Sequence, residues 1–181
     1  MRHNRRLVAL LAVIGIVVLG CRGAARAQGR RASPHESTMA TVDGSDMLIE
    51  YGRPYTRGRT IFGRLVPYGD VWCPGADEAT MLSTSRPLRM GPLAVPAGEY
   101  SLWILPTEGA WTLVVNKDAH TFHTNYRGSR DFGRVAMQKR TLPSLVEQLT
   151  FAIEQNPSGP GGRIVMSWAT TEVSVPFLVG D

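Results

Sequence analysis

Apolar and polar residues change places one by one along much of this chain. Leu149, Phe151 and Ile153 share one side of a short run, with Thr150 and Glu154 among the positions opposite. Ile164, Met166 and Trp168 alternate with Val165, Ser167 and Ala169, and Val173, Val175 and Phe177 alternate with Ser174 and Pro176. A period of two is the mark of a strand, because successive side chains point to opposite faces. The same pattern predicts strands near residues 38–42, 47–51, 79–84, 100–105, 111–115 and 134–139. Turn signals separate them: Asp43-Gly44, Pro96-Ala97-Gly98, Glu108-Gly109 and the glycine–proline run 158–162. Pro176 within the last run places that strand at an edge or on a bulge. No long amphipathic helix is visible, and residues 142–148 offer at most a turn or two of helix. Many short strands with regular punctuation predict an all-β fold, an antiparallel β-sandwich with a jelly-roll-like or barrel arrangement as variants.

Two stretches break the alternation. Residues 52–75 are rich in Gly, Pro and Arg, yet include Ile61, Phe62, Leu65 and Val66. That is too apolar for a solvated linker, so one long ordered connection packed against a sheet is expected. At the other extreme, residues 7–20 carry no charged or hydrogen-bonding side chain, behind a basic head of Arg2, Arg5 and Arg6. A membrane-spanning helix needs roughly 20 apolar residues, so this run is short for a permanent anchor and has the build of a secretory signal. Two exits are open. Val18-Leu19-Gly20-Cys21 approximates a lipobox, in which Cys21 becomes the lipid anchor. Ala25-Arg26-Ala27 offers ordinary cleavage after residue 27. The expected organisation is a signal over residues 1–27 (or a lipoprotein signal over 1–20), a tether over 28–36 and a β-sandwich domain over 37–179. The expected location is the periplasm or outer envelope, with lipid attachment to the membrane as the variant.

Export changes how composition is read. The formal net charge of +5 belongs to the leader. Arg2, Arg5, Arg6, Arg22 and Arg26 all precede Gln28, so the soluble form is neutral and nucleic acid is not an expected partner. Of the two cysteines, Cys21 and Cys73, the first is lipidated or removed. Cys73 then has no partner within the chain, and this is no disulfide scaffold.

The block Tyr51-Gly52-Arg53-Pro54, Arg57-Gly58-Arg59, Ile61-Phe62-Gly63, Leu65-Val66-Pro67-Tyr68-Gly69, Val71-Trp72 and Gly75-Ala76 with Glu78-Ala79-Thr80 resembles the bacterial "domain of unknown function 2911" family. Pro96-Ala97-Gly98, Tyr100-Ser101-Leu102, Trp111-Thr112-Leu113, Asn116-Lys117 and the closing Val173-Ser174-Val175-Pro176-Phe177 are similar too. The likeness runs from about Ser33 to Phe177. It implies an exported single β-rich domain and brings no established activity with it. Cys73-Pro74 stands where the family tends to have an arginine and a small polar residue, and Asp77 where asparagine is common.

Four constellations could carry chemistry. Arg53, Arg57, Arg59 and Arg64 with Asp77 and Glu78 match the bidentate pairing of guanidinium and carboxylate. They form either a ligand pocket for an anionic or sugar-like molecule (Arg57, Arg59, Asp77 and Glu78 around a Trp72 floor) or a network in which Arg57 or Arg59 pins the long connection through Glu78. His120 and His123 beside Asp118, with His35, are the residue types of a metal site, but a spacing of three converges only on a helix. No metal and no other cofactor is expected. Cys73 with His120 or His123 is a nucleophile-and-base combination, set against a buried or half-buried thiol or an intermolecular disulfide. Of the tryptophans, Trp111 and Trp168 sit in phase with the core, while Trp103 is open to either role. No nucleophile elbow, phosphate loop, zinc-protease or dinucleotide motif is present. Three readings follow: a non-catalytic envelope domain that binds a small molecule, a glycan or a partner protein, a hydrolase or metal-assisted enzyme using Cys73, His120 and His123, and a purely structural lipoprotein.

Overall fold

The computed structural model describes residues 32–180. The signal, both cleavage sites, Cys21 and most of the expected tether lie outside these residues. The described part is all-β, with nine antiparallel strands and a single 3-10 turn. The strands are β1 (His35–Val42), β2 (Ser45–Gly52), β3 (Met81–Thr84), β4 (Leu88–Met90), β5 (Leu93–Val95), β6 (Gly98–Leu105), β7 (Trp111–Asn116), β8 (Asp131–Gln155) and β9 (Gly162–Val179). They form one sheet in the order β1-β2-β3-β6-β7-β8-β9-β4-β5. β1 begins at His35, inside the stretch expected as a tether.

The sheet becomes sandwich-like because β8 belongs to two layers. Its first part pairs with β7 through Met137, and its second part pairs with β9 from Gln138 onward. Between Thr141 and Thr150, β8 carries more residues than the facing stretch of β9, so the ladder bulges, and Ala169 opposite has φ 54. Bulges bend and twist a strand. The far half of the β8–β9 hairpin thus returns over β2. There the rings of Tyr51 and Phe151 meet edge-on at 5.1 Å, and the Phe151 N–H donates to the Tyr51 hydroxyl at 3.1 Å. This is also where sequence and structure part: residues 142–148 are bulged strand and not a helical turn.

Alternation predicted the inner face well. Leu149, Phe151, Ile164, Met166, Trp168, Val173, Val175 and Phe177 are all buried in one apolar cluster with Ile49, Leu82, Leu102, Ile104, Trp111 and Leu113. Asp43 and Gly44 both have positive φ (47 and 76), as a two-residue hairpin turn between β1 and β2 requires. Pro176 falls between the part of β9 paired with β8 and the part paired with β4, where no ladder needs its missing N–H.

Candidate functional site

The connection between β2 and β3 is ordered throughout, as expected of an apolar, glycine-rich segment, and its two ends do different things. At its start the chain makes a tight turn. Arg57 and Gly58 have φ 49 and 70, and the Arg59 N–H donates to the Thr56 carbonyl at 3.0 Å. The Arg59 side chain caps that turn, its Nε donating to the Thr56 carbonyl at 2.9 Å and its Nη2 to the Tyr55 carbonyl at 2.6 Å. Arg53 reaches the facing strand, donating to the Leu149 carbonyl at 2.9 Å and the Thr150 hydroxyl at 2.8 Å, and it pairs with Glu36. The pin for the whole turn is Glu147. Its carboxylate accepts from the Thr56 hydroxyl and, at 2.8 Å, from the Arg57 backbone N–H. The Thr56 hydroxyl, helped by that N–H and by the charges of Arg57 and Arg59, holds the Glu147 carboxyl below its usual value.

The arginines therefore do not assemble around Asp77 and Glu78. A pin does hold the connection, but its carboxylate is Glu147, presented by the β8 bulge, where Glu78 was expected. Trp72 is half-buried. It stacks on Trp168 at 5.9 Å and meets Phe62 edge-on at 6.1 Å, so its indole is built into the core wall. Its backbone pairs with Ile104, extending the sheet beside β6 past the end of β3.

The return end of the connection, residues 73–80, crosses the outer face of the sheet. Cys73, Ala79, Trp103 and Val114 form a small second core there, which settles Trp103 as buried. Cys73 is 2% exposed, and burial pushes its thiol up to about 12. At neutral pH such a group is a protonated thiol, not a nucleophile. Its burial also withholds the Cys73 sulfur from an intermolecular disulfide. The chain then runs as a short ladder against residues 121–123. The Ala79 N–H donates to the Thr121 carbonyl at 2.9 Å, and the His123 N–H to the Asp77 carbonyl at 2.9 Å. His123 Nδ1 lies 2.6 Å from that same carbonyl, which can only accept, so Nδ1 carries the proton. Asp77 has φ 65, a conformation that aspartate and asparagine tolerate better than other side chains.

This ladder walls a cavity of about 570 Å³ over the outer face of β2 and β3. Glu50 and Met81 supply its floor, Glu78 and Ala79 one wall, and His120 and Phe122 another, with His35 at its rim. His35 Nε2 lies 3.3 Å from both Asp77 Oδ2 and Glu78 Oε2. His120 Nε2 lies 2.9 Å from Glu99 Oε2. Three histidines from two distant segments thus gather with Glu50, Asp77, Glu78 and Glu99. Among the described residues no group of three or more His, Cys, Asp or Glu is arranged to hold a metal ion. Asp118 stands apart, held by Arg127 at 2.7 Å and Arg130 at 2.9 Å.

A family model described as a protein of unknown function, DUF2911, matches residues 33–177. The chain belongs to the DUF2911 family. That match spans both ends of the connection and all nine strands nearly to the end of β9. No curated protein and no solved structure matches the chain. Within this DUF2911 domain, sequence reasoning missed Glu50, Glu99, Phe122 and Glu147. Glu50 left one faint signal: it is the charged member of an alternating strand, and so faces away from the core.

Proposed function

We propose that this DUF2911 protein is an exported, non-catalytic binding domain of the cell envelope, and that its site is the acidic cavity over β2 and β3. One observation carries the reading. Glu50 and Glu78 border one cavity beside the half-exposed ring of Phe122, with His35 and His120 also in its lining. Its volume falls within the range of small-molecule sites. Carboxylates favour a cationic head, and an aromatic face beside them adds cation–π attraction. The ligand class is an organic amine with an apolar body. The basic head, short apolar run and Cys21 support export and lipid anchoring.

Calorimetry on the purified protein tests the site, using aryl and alkyl amines beside their alcohol isosteres. Amines should bind at least tenfold tighter than the alcohols, and added salt should weaken them. Glu50→Gln with Glu78→Gln should remove the difference without changing the melting temperature. Equal affinity for amine and alcohol would overturn the proposal. Changing Cys21 to Ser should move the protein from the membrane to the soluble envelope fraction. An unprocessed chain in the cytosol would sink the export reading.

A further inference from the structure

A second cavity lies where the far end of the β8–β9 hairpin closes on the rest of the domain. The loop after β8 is tied down by the Gly161 N–H, which donates to Asp43 Oδ2 at 2.5 Å. Gly161 has φ 77, and any side chain there would collide with the Phe177 carbonyl, so the start of β9 can press on its own end only through glycine. The space beside this closure has a volume of about 740 Å³.

Its lining is unlike that of the acidic cavity. Pro157, Pro160 and Pro176 line it with Phe177 and Leu178. Proline has no backbone N–H, so three donors are missing from this part of the wall, while Glu154, Gln155 and Asn156 make another part polar. Two guanidiniums border the space. Arg163 is engaged by Glu154, at 2.6 to 2.7 Å. Arg89, on β4, has an exposed side chain, and no carboxylate among the described residues lies within ion-pair distance of it. One uncommitted guanidinium fork beside an apolar stretch of proline, Phe177 and Leu178 matches one carboxylate on an apolar chain.

We infer that this cleft binds a single-chain carboxylate amphiphile, its head on Arg89 and its tail against the three prolines and Leu178. This site is separate from the amine cavity and stands whether or not that cavity is occupied.

The test titrates decanoate, and decanol as its uncharged isostere, into protein purified from the envelope, below the concentration at which decanoate forms micelles. Decanoate should bind at least tenfold tighter than decanol. Arg89→Ala should bring decanoate down to the affinity of decanol, Arg89→Lys should retain part of the difference, and Glu50→Gln should leave it intact. Amide shifts on binding should centre on Gln155, Asn156, Arg89 and Leu178. No decanoate binding, equal affinity for decanoate and decanol, or shifts centred on Glu50 and Phe122 would each overturn the assignment. The wild-type comparison decides the matter even if the Arg89→Ala protein does not fold.

Discussion

The two ends of the long connection between β2 and β3 both carry charge and finish in different states. At the arginine end, the side-chain donors of Arg53 and Arg59 meet the carbonyls of Tyr55, Thr56 and Leu149 or the hydroxyl of Thr150. At the acidic end, Glu50 and Glu78 border an open cavity. The difference lies in what backbone can offer. A guanidinium carries five donors in a fixed fork, and a tight turn presents several carbonyls within its reach. A carboxylate only accepts, and most backbone N–H groups in a sheet are already committed to the ladder. Glu147 escapes that limit, because the bulge in β8 aims it at the Arg57 N–H and the Thr56 hydroxyl, both outside any ladder. Arginine-rich loops can thus close on backbone carbonyls, while Glu50 and Glu78 border a cavity whose lining includes His35 and His120.

The largest expected effect comes from the residue that keeps the acidic end in place. Gly52 ends β2 directly beneath the returning chain, and an added Cβ would overlap the carbonyl of Ala76. Backbone is the obstacle, so no side-chain rotation can relieve it. Gly52→Ala should cost about 3 kcal/mol, the upper part of the usual range for overpacking, read by denaturant unfolding. It should also abolish amine binding, since the wall bearing Glu78 must move, while the decanoate cleft keeps its affinity. Wild-type stability in this variant would mean that the return crossing is loose and that the two ends differ less than described above.

How much of this contrast was legible in the sequence depends on the period of the signal. The inner face was legible because alternation is local, and Trp111, Trp168 and the in-phase residues of the three runs of β8 and β9 are buried, Ile153 partly so. β4 and β5 were missed because three residues are too few to show a period. Residues 142–148 were misread because a bulge interrupts alternation much as a helical turn would. The arginine block was visible as a charge cluster, but its partner was not. Glu147 lies some ninety residues further along, and only the fold of the β8–β9 hairpin brings it there. Glu50 showed only its outward phase and Phe122 showed nothing, since nothing in a strand's polar position says which distant loop will roof it.

A smaller effect, and a sharper probe of the closed end, comes from Thr56. It is buried, and its hydroxyl donates to Glu147. Thr56→Val keeps the shape and removes the donor, which should cost about 1 kcal/mol at neutral pH. The pH dependence identifies the partner. The Glu147 carboxyl is held below its ordinary value of 4.5 in the folded protein. A group with a lowered folded pKa contributes stability that is complete above its unfolded pKa and disappears as pH falls through the folded one. The stability gap between wild type and Thr56→Val should therefore hold steady above about pH 5 and narrow below the ordinary value, as the protonated carboxyl no longer prefers that donor. Amine binding at the other end should be unaffected at neutral pH, because the ladder at residues 77–79 is anchored by residues 121–123 and not by the turn at Thr56. A gap that stays constant into strong acid would show that Thr56 acts through packing alone, and the arginine end would then be closed by its own carbonyls without help from Glu147.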